Sequence, residues 1–254
     1  IILLIIGCSN PKKTSINLSE LTISKIHDSY KNGSYSSEQL VKEYIKRIKG
    51  NDSEINAISI INSNAVTIAK QLDLEFQKTN KLRPLHGIPI IIKDNINTKN
   101  LPTTGGALAL KDFIPKENAF VIKKLIAAGA IIIAKSNMAE WAFSAKHTES
   151  STKGTTRNPY NLSFGSIPAG SSGGTAAAIA SNFATIGLGT DTGNSIRGPS
   201  SHNALVGFRT TLGLISREGI IPLFLRNDVV GPMGRTVEDA TRILEIMTGI
   251  DPKD

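Results

Sequence analysis

The chain has 254 residues, 40% hydrophobic and 20% charged, enough for one large α/β domain with its own core and too ordinary a composition for wholesale disorder. A formal charge of +8 raises nucleic acid or a membrane surface as partners, but the basic residues are scattered and no aromatic-interleaved basic stripe runs through them, so the charge reads as solvated surface and no nucleic-acid partner is expected. The single cysteine, Cys8, excludes an intramolecular disulfide framework and a cysteine-rich metal site.

The chain opens on an apolar run, Ile1 to Ile6, too short to span a bilayer. It ends in Gly7-Cys8 and gives way to Ser9, Asn10, Pro11 and two lysines. This grammar resembles the tail of a bacterial lipoprotein signal peptide, with Cys8 as the acylated residue. No initiator methionine or basic stretch precedes the run, so residues 1–8 read as a truncated signal peptide and 9–17 as a polar tether. The expected location is a lipid-anchored membrane surface of the cell envelope, with the cytoplasm as the alternative. The plainer alternative is a buried strand that ends in Gly-Cys.

Two amphipathic helices follow, one from about Ser19 to Tyr30 and one from Ser36 to Gly50, where Ser36 and Gln39 have capping-box spacing. Ile55 to Ile61 reads as a strand and Ala65 to Gln77 as a helix. Ile88 to Ile92 is a near-continuous apolar run, the pattern of a strand buried on both faces. Helical Val121 to Ala128 then leads to a second buried strand at Ala130 to Ala134. The rhythm repeats with a helix over Ser172–Phe183 and a strand over Thr185–Gly189, which implies parallel pairing with helices on both faces. A last helix, Val237 to Met247, is capped by Thr236 with Asp239 three residues on.

Three segments carry chemistry. Lys93-Asp94-Asn95 follows directly on the first buried strand, and a lysine there points into the crevice where open α/β sheets place ligands. Desolvation lowers a lysine pKa, and the neutral amine is a base; the plain alternative is a solvated cap. A Gly/Ser-rich loop, Gly165 to Thr175, opens the alanine-rich helix and supplies free N–H groups. It lacks the lysine of a phosphate loop. Finally, Gly189 to Arg197 is a tight turn with successive backbone N–H groups just before Ser195, the arrangement that places an oxyanion hole beside a nucleophile. Read alone, it also fits an ordinary loop.

Together these segments resemble the amidase signature family. The carrying residues are Gly87-Ile88-Pro89 through Lys93-Asp94-Asn95, the loop Gly170-Ser171-Ser172-Gly173-Gly174, and Asp191-Thr192-Gly193-Asn194-Ser195-Ile196-Arg197, with the family's spacing between Ser171 and Ser195. Further matches run collinearly over about residues 18 to 250, and Glu140-Trp141 with Arg217 to Pro222 looks most like the peptide-amidase branch. The resemblance implies an amidase signature α/β fold over 18–254, with a mixed, mostly parallel sheet and helices on both faces. It implies hydrolysis of a small-molecule or peptide amide by a Ser-Ser-Lys triad. Ser195 would attack, Ser171, expected on a cis peptide bond, would relay the proton, and neutral Lys93 would be the final base. Backbone N–H groups of Thr192, Gly193, Asn194 and Ser195 would hold the oxyanion, with no metal or organic cofactor. A glutamine-hydrolysing amidotransferase subunit shares all three motifs, and a catalytically impaired binding lipoprotein is a third reading.

Three departures qualify the match. Asn194 stands where the family has glycine, tolerable because asparagine accepts positive φ; losing one oxyanion donor would cost about 10²–10³ in rate. Ala169 replaces the first glycine of the loop, expected to be mild. Phe208-Arg209-Thr210-Thr211 replaces the usual Leu-Lys-Pro-Thr and is expected to loosen that turn without touching catalysis. Relatives continue well beyond Asp254, so a C-terminal part is expected to be missing. Among other residues, Asp191 and Arg197 read as an ion pair bracing the nucleophile turn, and Ser172 as the cap of the alanine-rich helix. His27, His86, His147 and His202 have no metal-ligand spacing.

Overall fold

A computed structural model describes residues 16–163 and 167–254. Cys8, the signal peptide expected at 1–8 and all but the end of the 9–17 tether lie outside the described residues, as do Gly165 and Ser166 of the Gly/Ser loop.

The chain runs α1 (Ile23–Lys31), α2 (Ser37–Ile55), β1 (Ile58–Ile61), α3 (Ala65–Thr79), β2 (Pro89–Lys93), α4 (Phe120–Ala127), β3 (Ile131–Ser136), β4 (Glu149–Ser150), β5 (Gly154–Thr155), α5 (Gly173–Ala180), β6 (Ile186–Asp191), α6 (Arg197–His202), β7 (Val206–Gly207), β8 (Val229–Gly234) and α7 (Val237–Met247). One sheet has the order β1-β3-β2-β6-β8-β7, and β4 and β5 form a separate two-stranded ribbon. At the sheet's centre β3, β2 and β6 pair in parallel, while β1 and β8 run antiparallel to their neighbours and β7 antiparallel to β8. Thus β3, β2, β6 and β7 share one direction, a mixed, mostly parallel sheet.

Local chemistry explains most boundaries. The Ser36–Gln39 capping box forms reciprocally, and Thr236 accepts the Asp239 N–H at the start of α7. Several boundaries differ from expectation: the strand expected from Ile55 starts at Ile58, the helix expected to reach Phe183 stops at Ala180, and the first two helices are shifted. Helix α1 starts after Thr22, whose side chain caps it, rather than at Ser19. Helix α2 passes through Gly50 and stops only at Asn56, which takes the left-handed conformation at φ 57°. Its buried Ile48 and Ile55 keep the apolar stripe going, and packing outweighs the ~1 kcal/mol cost of an interior glycine.

Helix α5 is buried along its length except at Ala180 and touches β1, β2, β3, β6 and β8. Its small side chains permit that closeness. A Cβ on Gly187 of β6 would lie 2.4 Å from Thr175 Cγ2, and one on Gly174 would lie 2.0 Å from the Asn137 carbonyl oxygen. Helix propensity favours alanine over glycine by about 1 kcal/mol, yet the obstacle at Gly174 is backbone that cannot swing aside. Gly174→Ala is therefore expected to lower unfolding free energy by roughly 1–3 kcal/mol in urea titrations. Stability equal to wild type would show that the helix can slide away from β3.

Strand alternation assigns the two buried lysines to opposite faces. Gly187 faces α5 and pairs with Ile91, which puts Lys93, two residues on, on the α5 side. Ser136, the partner of Lys93 in β3, meets Thr175 of α5 at 2.7 Å, so Lys135 points to the other face.

Candidate active site

The C-terminal ends of β2 and β6, the central strands, bring the three chemistry-bearing segments together. Lys93 Nζ lies 2.6 Å from Ser171 Oγ, 2.8 Å from Thr190 Oγ1 and 3.4 Å from the Thr190 carbonyl. Lys93 and Ser171 are both fully buried. Burial pulls the Lys93 pKa down to about 7, against the upward pull of Asp191 and Asp228. None of its hydrogen-bond partners among the described residues is a carboxylate, so no direct ion pair holds the amine charged.

Lys135 shows the contrast. It is also fully buried, but Asp94 Oδ1 stands 3.4 Å away, and the Ile96 carbonyl and Thr103 hydroxyl accept from it at 2.8 and 3.0 Å. Burial brings its pKa only to about 8, with Asp94 pulling upward. Lys135 is thus tied into the loop after β2, whereas Lys93 faces hydroxyls.

Ser171 follows a cis peptide bond from Gly170. Its segment is anchored by the Ala139 N–H to Ser171 carbonyl bond at 3.0 Å and the Gly170 N–H to Ala145 carbonyl bond at 3.1 Å. Ala169 holds φ 57°, the left-handed region that costs a non-glycine residue about 1–2 kcal/mol. Its substitution for the family's glycine is therefore less mild than the sequence implies. Ser172 stands at the N-cap of α5 but does not cap it. With φ −91° and ψ 28° it lacks the extended conformation a cap needs. Its hydroxyl instead donates to the Thr190 carbonyl at 3.2 Å and accepts the Thr190 N–H at 3.3 Å, tying the loop to β6. Thr148 takes over the helix end, accepting the Gly173 N–H at 3.0 Å while donating to the Ala169 carbonyl at 2.8 Å.

Ser195, 6% exposed, is adjacent through its backbone, with its carbonyl accepting the Ser172 N–H at 3.3 Å. No hydrogen bond joins its hydroxyl to Ser171 among the described residues. The N–H groups of Thr192, Gly193, Asn194 and Ser195 likewise donate to no acceptor among the described residues, so they are free for a ligand. Asp191 holds the turn. Its Oδ2 accepts from the N–H groups of Ile196 and Arg197 at 3.1 and 3.4 Å and from Arg197 Nε at 3.1 Å. Burial pushes this carboxyl up, but the hydrogen bonds from Arg197 and Ile196 prevail and hold it below its ordinary range. The expected Asp191–Arg197 brace is present.

Sequence reasoning missed several supports. Arg209 donates to Asp191 Oδ1 at 2.8 Å, to the Asp191 carbonyl, and to the Asn227 carbonyl at 3.0 Å, so the substituted segment reaches across and braces the nucleophile turn. Thr190 shares the lysine. The Thr192 hydroxyl donates to Asp228, whose other oxygen accepts the Leu223 and Phe224 N–H groups. Thr190 sits inside the recognised turn, and its hydroxyl beside the strand end was the available signal; Arg209 and Asp228 carry no local one. Asn194 does not need positive φ: its backbone is outside that region. Among the described residues no group of three or more His, Cys, Asp or Glu side chains could hold a metal, and no helix is long and apolar enough to cross a membrane.

Fold and site together define an α/β domain with a mixed, mostly parallel sheet, in which a strand-end lysine is buried against the hydroxyl of a serine. The Amidase family model matches residues 39–254. Over 240 residues the chain is 41% identical to the A-type subunit of the glutamyl-tRNA(Gln) amidotransferase of Alkaliphilus metalliredigens, covering 94% of this chain and 48% of that protein. Among solved structures, peptide amidase of Stenotrophomonas maltophilia superposes with a TM-score of 0.88 at 37% identity, covering 93% of this chain and 49% of that one. An amidase family protein of Bacillus anthracis gives 0.88 at 38%, covering 93% and 48%. The chain belongs to the Amidase family, and it spans about half the length of the relatives it matches.

Proposed function

We propose that this chain carries the reacting centre of an amide hydrolase that releases ammonia or an amine from a carboxamide or peptide amide through an acyl-enzyme. The observation that carries the reading is the 2.6 Å approach of Lys93 Nζ to Ser171 Oγ, with both groups out of water. Ser195 Oγ attacks the carbonyl carbon and passes its proton to Ser171, whose own proton goes to neutral Lys93. The oxyanion is received by the free N–H groups of residues 192–195. The C–N bond then breaks as the Lys93 ammonium returns a proton through Ser171 to the leaving nitrogen. Water repeats the cycle on the ester, releasing acid and Ser195. The open Ser195–Ser171 gap closes when substrate fills the site, since catalytic hydrogen bonds are often long without it. The scheme requires no cofactor.

A second reading is that of an amidotransferase component, favoured by the name of the 41%-identical relative. The signal-peptide reading of 1–8 argues against it, and a lipid found on Cys8 would exclude it. The test is ammonia release by the full-length protein from simple amides, peptide amides and glutamine. Release from amides without any partner supports the hydrolase. Release from glutamine alone, and only with companion subunits present, supports the second reading. With an active substrate in hand, kcat/KM should climb through a limb centred near pH 7, because only the deprotonated form of Lys93 accepts a proton. A profile flat from about pH 5.5 to about 8.5 would remove Lys93 as the base.

A further inference from the structure

The one residue in the nucleophile turn that departs from the family pattern has a side chain with work of its own. Asn194 Nδ2 donates to the Gly170 carbonyl at 3.4 Å and to the Ala145 carbonyl at 3.3 Å. The Gly170 carbonyl belongs to the peptide group whose nitrogen is that of Ser171. Ala145, in turn, already receives the Gly170 N–H at 3.1 Å. The Asn194 amide therefore grips the Ala145 carbonyl that already anchors the Ser171 loop, together with the Gly170 carbonyl of the loop itself, and it does so from the residue next to Ser195.

The side chain has a prepared place. Gly198 lies beneath it, where an added Cβ would fall 2.2 Å from Nδ2, and the Gly198 N–H donates to the Asn194 carbonyl at 2.8 Å. A glycine at position 194 would leave the turn and the loop joined through Ser172 alone, whose N–H donates to the Ser195 carbonyl and whose hydroxyl pairs with the Thr190 backbone. With asparagine there is a tie through a second residue. Ties at two residues fix an orientation that one residue leaves free to pivot.

We infer that Asn194 is a positioning residue that sets the separation of the Ser195 and Ser171 hydroxyls. This rests on the hydrolase reading of the site. The residue touches neither substrate nor reacting atoms through its side chain; it acts through the carbonyl of Gly170. Its backbone conformation is open to any L residue, since φ is not positive, so alanine removes the amide without disturbing the turn.

The experiment compares wild type with Asn194→Ala in the full-length protein by two measurements. The first is the saturation kinetics of Ser195 labelling by a fluorophosphonate. The maximal labelling rate should fall about tenfold, the size of one lost hydrogen bond acting on alignment, while the half-saturating concentration stays unchanged. The second is amide hydrogen exchange over residues 169–172, which should quicken in the variant while exchange in β2 and β6 does not. Unchanged exchange over 169–172 overturns the brace. Quicker exchange with an unaltered labelling rate overturns its role in alignment. A wild type that does not label at all fails the hydrolase reading instead, and the exchange measurement still decides whether the tie exists.

Discussion

Ser195→Ala is expected to abolish fluorophosphonate labelling and to lower amide hydrolysis by about 10⁴-fold or more. The size follows from the absence of a substitute. Ser171 has a hydroxyl and the closer contact to Lys93, but it is wholly buried, whereas Ser195 reaches the surface. The N–H groups of residues 192–195, without acceptors among the described residues, belong to the same turn as Ser195, so the proposed oxyanion donors lie next to Ser195 in the chain rather than next to Ser171. The residual rate of the alanine variant reports what those donors and substrate binding do unaided. Labelling that survives the substitution would transfer the nucleophile's role to Ser171, and mass spectrometry of the labelled peptide would show it.

Lys93→Met should separate activity from stability. Loss of the base is expected to cost about 10²–10⁴ in kcat, yet the variant should be more stable than wild type at neutral and acid pH. The folded-state pKa is about 7 against 10.5 for a freely solvated lysine. Between those values the unfolded chain binds the proton and the folded one does not. Wild-type stability therefore rises with pH across that window, by up to about 1.4 kcal/mol per unit from this group. Methionine fills the same volume and has no proton to lose. Its advantage should be greatest below pH 7 and shrink toward pH 10.5, seen in urea midpoints measured at several pH values. Taking the difference between the two proteins removes the contribution of Lys135, which titrates in both. An advantage independent of pH would mean that Lys93 is held charged, and the proposed base would lose its support.

Much of this arrangement was legible in the chain itself. The runs at Ile88–Ile92 and Ala130–Ala134 declare buried strands because a sheet covered on both faces needs no polar side. Lys93 and Ser195 stand out because each ends or follows such a strand. β8 was hidden by Gly231, Pro232 and Gly234, residues that argue against a strand; it is tolerated beside the two-residue β7, near the sheet's edge. The overrun of α2 past Gly50 depends on what Ile55 packs against, which no local pattern states. Ser172 misled because a serine before a helix ordinarily caps it, while here β6 lies close enough to claim its hydroxyl. Arg209 and Asp228 act across 18 and 36 residues respectively, on Asp191 and Thr192, and only the folded sheet reveals such partners.

The strand order has a kinetic consequence. Lys93 meets Ser171 across 78 residues of chain and Thr190 across 97, and neither encounter can occur before the parallel pairing of β2 with β6 has closed those loops. Long-range parallel pairing is among the slower events in folding. The nascent or collapsed chain can thus have its helices in place while the reactive centre does not yet exist. The buried lysine and its hydroxyl partners come together only as topology completes, so on the proposed reading the chain passes through its unfinished states chemically silent.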